Sequence, residues 1–372
     1  MKREEFISYF EDVELTETHT GYYYSVAEAI GIVVIGSICG LKSIKQIHQW
    51  AESERTSEFL KEKFGINRIP CYYWLLSLLK IAKPESLNRC LMKWAETILP
   101  EKRDGLTIAL DGKTICSTTQ MKDYESPLHI VSAQLSELGF TFASKSVDGK
   151  SNEIPAVQEL IGELDIRNCI VVADALNCQR ETASAIIKGK GDYLLDVKGN
   201  QPTLMEEIER YIQDESLRKG MEQRATTEKN RDRIETRTAY TTSDIAWLYG
   251  KEKWENLSCI GAIRKKVERN GVKTEEWHYY ISSRALTPSE LLHHARMEWA
   301  VESMHWLLDV HFSEDFCRII SRTVQENLNQ SRKFALGLVK RFKERTGTKR
   351  ALSNIMFDCL LDSERILQIL EN

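Results

Sequence analysis

Apolar and polar positions alternate along the chain with two different periods, and the changes of period mark its organisation. Up to about residue 104 the apolar residues recur at helical spacing. Ser25 can cap a helix running to Leu41, and Ser43 can cap a second with Ile44, Ile47, His48 and Ala51 on one face. Residues 55–64 form a third, ended by Gly65, and after Pro84 the positions Leu87, Leu91, Trp94 and Ile98 make one stripe. At Gly105 the texture becomes β-rich. Residues 106–110 read as a strand ending in Asp111-Gly112, and 128–135 and 140–147 as a hairpin through Leu138-Gly139. A helix at 156–164, an apolar strand at 169–173 ending in Asp174, a helix at 179–188 and a strand at 192–197 ending in Lys198-Gly199-Asn200 complete an α/β succession.

Farther on, residues 203–222 look helical and 234–285 β-rich, with Asn270-Gly271 as a type I′ turn. Pro288, with Thr287 before it and Glu290 after, starts a helix running to about His311, and another is expected over 324–343.

Composition narrows the class. With 42% hydrophobic and 28% charged residues in 372, the chain can bury a large core, which excludes wholesale disorder. The net charge of −4 means that any surface for nucleic acid must be local. Two segments qualify. Residues 41–103 hold twelve Lys/Arg against seven Asp/Glu, and 321–350 hold nine against two. Phosphate contacts are therefore expected from Arg332, Lys333, Lys340 and Arg341. Nine Cys without a CxxC pair or a zinc-ligand spacing suggest reduced thiols in a cytosolic protein. The most apolar run, 29–41, would span only about 20 Å as a helix, too short for a bilayer core of about 30 Å.

The candidate chemistry lies in carboxylates. Asp111 and Asp174 each end a strand, and in α/β sheets the carboxyl ends of strands line the ligand crevice. On adjacent parallel strands they could share a divalent cation, Mg²⁺ or Mn²⁺ by the hardness of the donors. A third carboxylate from the 288–311 helix would allow two ions about 3.5–4 Å apart, as in-line phosphoryl transfer uses. Taken singly, Asp111 also fits a turn and Asp174 a helix cap. Lys113, Lys198 and Arg237 lie near the expected site and could neutralise phosphates. Trp299 and Trp306 share a helix face and are expected to pack in the core.

Several runs resemble, in order, the blocks of the H-repeat-associated family of bacterial insertion-sequence transposases. They are Ile108-Ala109-Leu110-Asp111-Gly112-Lys113-Thr114, Val147-Asp148-Gly149-Lys150-Ser151-Asn152-Glu153-Ile154, Asp174-Ala175-Leu176-Asn177-Cys178-Gln179, and Lys198-Gly199-Asn200-Gln201-Pro202. Farther along come Arg233-Ile234-Glu235-Thr236-Arg237, Tyr279-Tyr280-Ile281-Ser282-Ser283, Trp299-Ala300-Val301-Glu302-Ser303 and His305-Trp306-Leu307-Leu308-Asp309-Val310.

The resemblance implies a DDE transposase with an α/β, ribonuclease H-like core: a mixed five-stranded sheet with flanking helices. It implies a helical N-terminal domain over 1–104 for recognising DNA ends, a catalytic domain over 105–350 with a β-rich insertion at about 205–285, and a C-terminal tail at 351–372. Asp111, Asp174 and Glu302 would form the metal-binding triad, holding two Mg²⁺ or Mn²⁺ ions; helical spacing alone does not choose Glu302 among the downstream glutamates. Family members usually carry His where this chain has Glu298, so Glu298 is expected at a peripheral position. The implied partners are double-stranded DNA of the element's terminal repeats and target, and further copies of the chain on that DNA. No membrane is implied, and the implied place is the bacterial cytoplasm, at the nucleoid. Two other readings stay open: a transposase-derived DNA-binding protein without catalysis, and a divalent-metal nuclease without strand transfer.

Overall fold

The structure is a computed structural model that describes residues 6–17, 24–100, 103–120, 127–148, 153–230 and 233–371. The 149–152 part of the second family block lies outside them. The chain is a mixed α/β protein that divides into two compact units. One comprises Met1–Glu101, Gly112–Glu153 and Glu302–Asn372, the other Lys102–Asp111 and Ile154–Val301.

In the first unit, α1 (Val26–Ile38) is apolar on all sides and buried at every position except Glu28. Ser25 caps it by accepting the Glu28 N–H. Such a helix needs cover all round. The cover includes α2 (Ile44–Glu52) and, later in the chain, α11 (Arg322–Thr346). Gly36 permits the close approach of α2, since a Cβ there would lie 2.8 Å from Ile47. Next come α3 (Glu54–Phe64), closed by Gly65 in the left-handed region at φ 70°, α4 (Tyr72–Ile81) and α5 (Pro84–Ile98). Trp94 of α5 is fully buried against Phe6 and against Phe334 of α11. The unit also holds Gly112–Thr114, the end of strand β1 (Thr107–Thr114), followed in hydrogen-bonding order by β2 (Leu128–Leu135) and β3 (Phe140–Asp148). The hairpin β2–β3 is the expected one, turning at Gly139 with φ 58°. Residues 351–372, expected as a tail, instead form α12 (Leu352–Leu361) and α13 (Ser363–Leu370). Ile355, Met356, Cys359, Ile366, Leu367, Ile369 and Leu370 give these helices buried faces that outweigh their acidic composition.

In the second unit the strand order is β1, β4 (Ile170–Ala173), β5 (Asp192–Val197), β9 (Val272–Ser282), β8 (Cys259–Arg269), β7 (Arg233–Thr242), β6 (Glu222–Asn230). The first three are parallel and the rest antiparallel. Strand β4 is a continuous apolar run and β5 is buried from Tyr193 to Val197, as strands covered on both faces require. The β8–β9 turn has Asn270 at φ 49° and Gly271 at φ 78°, the conformation that the Asn-Gly pair predicts. Strand β6 was not expected. Its sequence EQRATTEKN has no apolar stripe, and it forms through full-length pairing with β7 as an edge strand blunted by charge. The helices are α6 (Glu153–Glu163), α7 (Arg180–Lys188), α8 (Pro202–Gln213) and α9 (Glu215–Arg218), so the helical reading of 203–222 ends early. The last, α10 (Pro288–Phe312), starts with a reciprocal cap. The Thr287 N–H donates to the Glu290 carboxylate, and the Glu290 N–H donates to Thr287 Oγ1. Among the described residues no helix is long and apolar enough to cross a membrane.

Candidate metal centre

Strand register builds the centre. Pairing of β1 with β4 ends at Leu110 opposite Ala173, and that of β4 with β5 at Ala173 opposite Leu195. One residue farther along each strand stand Asp111, Asp174 and Asp196. They form a row across three neighbouring parallel strands spaced about 4.8 Å apart. Residues in register share a face of the sheet, so the row offers three carboxylates on one side. The strand expected to stop at Asp111 continues to Thr114, which makes Asp111 part of regular structure rather than of a turn.

Each Asp has its own surroundings. Asp111 and Asp174 are half-buried. Asp174 caps the 3₁₀ turn Ala175–Asn177, with Oδ1 accepting the Asn177 N–H at 3.2 Å and Nδ2–H at 3.1 Å. Asp196 is 4% exposed. Its Oδ2 meets Lys198 Nζ at 2.7 Å, while its buried Oδ1 has no hydrogen-bond partner.

Helix α10 adds Glu298, which is half-buried. Its carboxyl is pushed up to about 8, first by burial, then by the negative charges of Asp196 and Asp174; Lys198 offsets part of this and Asp111 adds a little. Burial also lifts the Tyr280 hydroxyl well above its usual range, helped by Asp196 and Glu298. For Lys198, burial pulls its ammonium down, but Asp196, Glu298 and Asp174 outweigh that and hold it above its ordinary value. Asp111, Asp174, Asp196 and Glu298 thus share one electrostatic neighbourhood. A set of hard oxygen donors, one of them a buried and orphaned carboxylate oxygen, fits a Mg²⁺- or Mn²⁺-type cation.

Two sequence expectations change here. Glu298 is not peripheral, because the rotation of α10 turns it to the Asp row. The sequence marks Asp196 less plainly than Asp111 and Asp174, because it stands inside β5 with Val197 after it. Glu302 is exposed and falls in the first unit, one turn beyond Glu298 on α10.

The expected phosphate ligands divide into three groups. Lys113 is held by carboxylates within the first unit: Asp309 at 2.7 Å, Asp315 at 3.3 Å and Glu314 at 3.4 Å. Lys198 pairs with Asp196, as described. Arg237 lies in a cleft of about 260 Å³ in the second unit, with Lys265, Arg296, His278, Tyr280 and Trp299. There the Arg237 guanidinium pairs with Glu235 and Glu228 and lies 5.6 Å from the Trp299 ring centre, with Lys265 Nζ at 5.2 Å. Trp299 and Trp306, expected in the core, are 42% and 63% exposed. The 321–350 run needs the largest correction. Arg332 and Lys333 are 2% and 3% exposed, because α11 is packed against α1 and β3 and buried on nearly all sides from Val324 to Val339. Arg332 donates to the Lys42 carbonyl at 2.8 Å, and Lys333 Nζ to Ser132 Oγ at 2.8 Å. Lys340 and Arg341 are half-buried, and burial lowers both below their usual values. Charge counting overestimated the surface of this helix.

Beneath Gly112, His129 Nε2 meets Glu153 Oε2 at 2.8 Å while its Nδ1 meets Thr114 Oγ1 at 2.9 Å. Gly112 is required by this approach, since a Cβ there would collide with the His129 ring and stand 2.6 Å from Glu153 Oε2.

Comparison with known proteins adds a lineage to this geometry. Residues 106–338 match the family described as "Transposase DDE domain", and residues 7–95 match the one described as "DDE_Tnp_1-associated". "Putative transposase YncI" of Escherichia coli O157:H7 is 31% identical over 337 residues, 88% of this chain and 85% of that one. "H repeat-associated putative transposase YhhI" of Escherichia coli strain K12 is 27% identical over 345 residues, 90% of each chain. Among solved structures, a cryo-EM structure of the piggyBac transposase synaptic complex with hairpin DNA aligns with a TM-score of 0.47 and 11% identity, covering 99% of this chain and 80% of that one. The length of the match across the sheet and α10 assigns the chain to the DDE-domain transposase family.

Proposed function

We propose that this protein cuts DNA at the ends of an insertion sequence and joins the freed ends to target DNA, using divalent cations held by Asp111 and Asp174 where the pairing of β1 with β4 ends. The observation that carries the reading is the in-register row of carboxylates one residue beyond the last paired residues of three adjacent parallel strands, with α10 adding Glu298. The succession of hairpin β2–β3, then β1, β4 and β5, supports a ribonuclease H-like core. In that reading β6–β9 are the β-rich insertion between β5 and α10.

Asp111 and Asp174 would hold the cations, with Glu298 of α10 in the same neighbourhood; the family resemblance names Glu302, one turn farther along α10, as the third carboxylate. The bound cations supply Lewis acidity: they sharpen an attacking oxygen and stabilise a leaving one. In the first step a water oxygen bonds to the phosphorus at the element end. The bond to the 3′-oxygen breaks, leaving a 3′-hydroxyl and a 5′-phosphate. In the second step that 3′-hydroxyl attacks a target phosphodiester and displaces the target's own 3′-oxygen. The chain's role is to orient these oxygens in line. Arg237, Lys265 and Arg296 line a cleft in the same unit as the Asp row, and Tyr280 reaches both, since it lines the cleft and faces Asp196 across the β5–β9 pair. The cleft is suited to the phosphates of a strand leading to the cations.

The test is Asp111→Asn and Asp174→Asn, which remove charge and nearly keep shape. With Mg²⁺ and a duplex bearing the element end, nicking should fall by orders of magnitude while duplex binding in Ca²⁺ persists. Equal loss of binding and nicking in a folded variant refutes the metal role. Nicking without joined products identifies a nuclease instead, and absence of metal-dependent nicking in the unaltered chain identifies a DNA-binding protein.

A further inference from the structure

The geometry points to Asp196 as a further metal-coordinating carboxylate, with the Lys198 ammonium standing in its place until a cation arrives. This rests on the metal reading above and extends it to a residue outside the family triad.

Three observations support it. The first is register. Asp174 is the middle member of the row, with Asp111 on one side and Asp196 on the other. Two ions that share Asp174 would each find a flanking carboxylate in the row, and Asp196 is the one on the β5 side. The second is burial. Asp is disfavoured inside strands, yet Asp196 sits within β5, opposite Tyr280 of β9, where neither a turn nor a helix cap accounts for it. It is 4% exposed, and its Oδ1 is buried without a hydrogen-bond partner. An unpaired buried carboxylate oxygen costs free energy, and a cation removes that cost. The third is the nature of the existing partner. Lys198 satisfies only Oδ2, and its side chain is 57% exposed. A flexible, solvated ammonium is a point charge that a divalent ion can displace. Once displaced, Lys198 becomes available to a phosphate oxygen, which makes its contribution to DNA affinity conditional on metal.

Mn²⁺ binding to the full-length chain, counted by electron paramagnetic resonance of the free ion, tests this. The unaltered protein should bind about two Mn²⁺, and both Asp196→Asn and Asp111→Asn should bind about one. Lys198→Met should keep both ions and bind the second more tightly, because the competing cation is gone. If Asp196→Asn keeps two ions at unchanged affinity while Asp111→Asn loses one, Asp196 is only an ion-pair partner of Lys198 and the inference fails while the metal reading stands. If the unaltered chain binds none, both fail together. Should Asp196→Asn not fold, Lys198→Met decides, and unchanged Mn²⁺ affinity in that variant overturns the inference.

Discussion

Replacing Glu298 by Gln should stabilise the cation-free protein above neutrality and change little near pH 4. In the folded chain the Glu298 carboxyl titrates at about 8 rather than at its ordinary 4.5. The folded state thus holds the proton more tightly than the unfolded state. The carboxyl's contribution to stability is complete below about 4.5, declines as the pH rises toward 8, and stays lost beyond. Each pH unit in that window corresponds to about 1.4 kcal/mol, so the unscreened loss is roughly 3 kcal/mol at pH 7 and roughly 5 above pH 8. Glu298 keeps some solvent contact, which screens the charge, so about half of this is expected. Gln keeps the size and the neutral hydrogen-bonding group and never ionises. Urea unfolding in EDTA should therefore show a gain for Glu298→Gln of about 1.5–2.5 kcal/mol at neutral to alkaline pH and none near pH 4. Mn²⁺ should narrow the gap, since a cation bound to the folded state stabilises the carboxylate form. A gain of equal size at both ends of the pH range would refute the reasoning, for it would mean that packing rather than charge sets the difference.

Gly112→Ala should lower the melting temperature by several degrees, because the new methyl overlaps the His129–Glu153 pair and overpacking costs about 1–3 kcal/mol; an unchanged melting temperature would mean that the pair yields freely. Arg237→Gln combined with Lys265→Gln should reduce the salt dependence of DNA affinity by up to about two slope units, at roughly 0.9 for each phosphate contact. Arg332→Leu should leave that slope unchanged, and a reversed pattern would place the DNA on the first unit.

Much of the fold was legible because local pattern and tertiary demand agree. The apolar run of β4, the Tyr193-Leu194-Leu195 centre of β5, the Gly139 turn, the Asn270-Gly271 turn and the Thr287–Glu290 cap are all fixed within a few residues of chain. Strand β6 was hidden because its only support is the neighbour it pairs with. The same division runs through the site. Asp111 and Asp174 announce themselves by ending apolar runs, whereas Asp196 is followed by Val197 within its strand and acquires meaning only through its register with β4. Glu298 depends on how far α10 is rotated, which spacing on the helix leaves open. For Arg332 and Lys333, charge does not bring exposure. Each found an acceptor, the Lys42 carbonyl and the buried Ser132 hydroxyl, from segments roughly 200 to 300 residues away in sequence.

The interleaving of the two units sets an order on synthesis. Most of the second unit is one unbroken stretch, Ile154–Val301, joined only by Lys102–Asp111, so its contacts can close while the ribosome is still translating α11. The first unit has no such freedom. Helix α1, apolar on every side, emerges among the first forty residues, yet its cover from α11 comes roughly three hundred residues later. At elongation rates of about 5–20 residues per second, that cover is missing for tens of seconds. In a chain cut short before α11, the face of α1 that α11 covers is never closed.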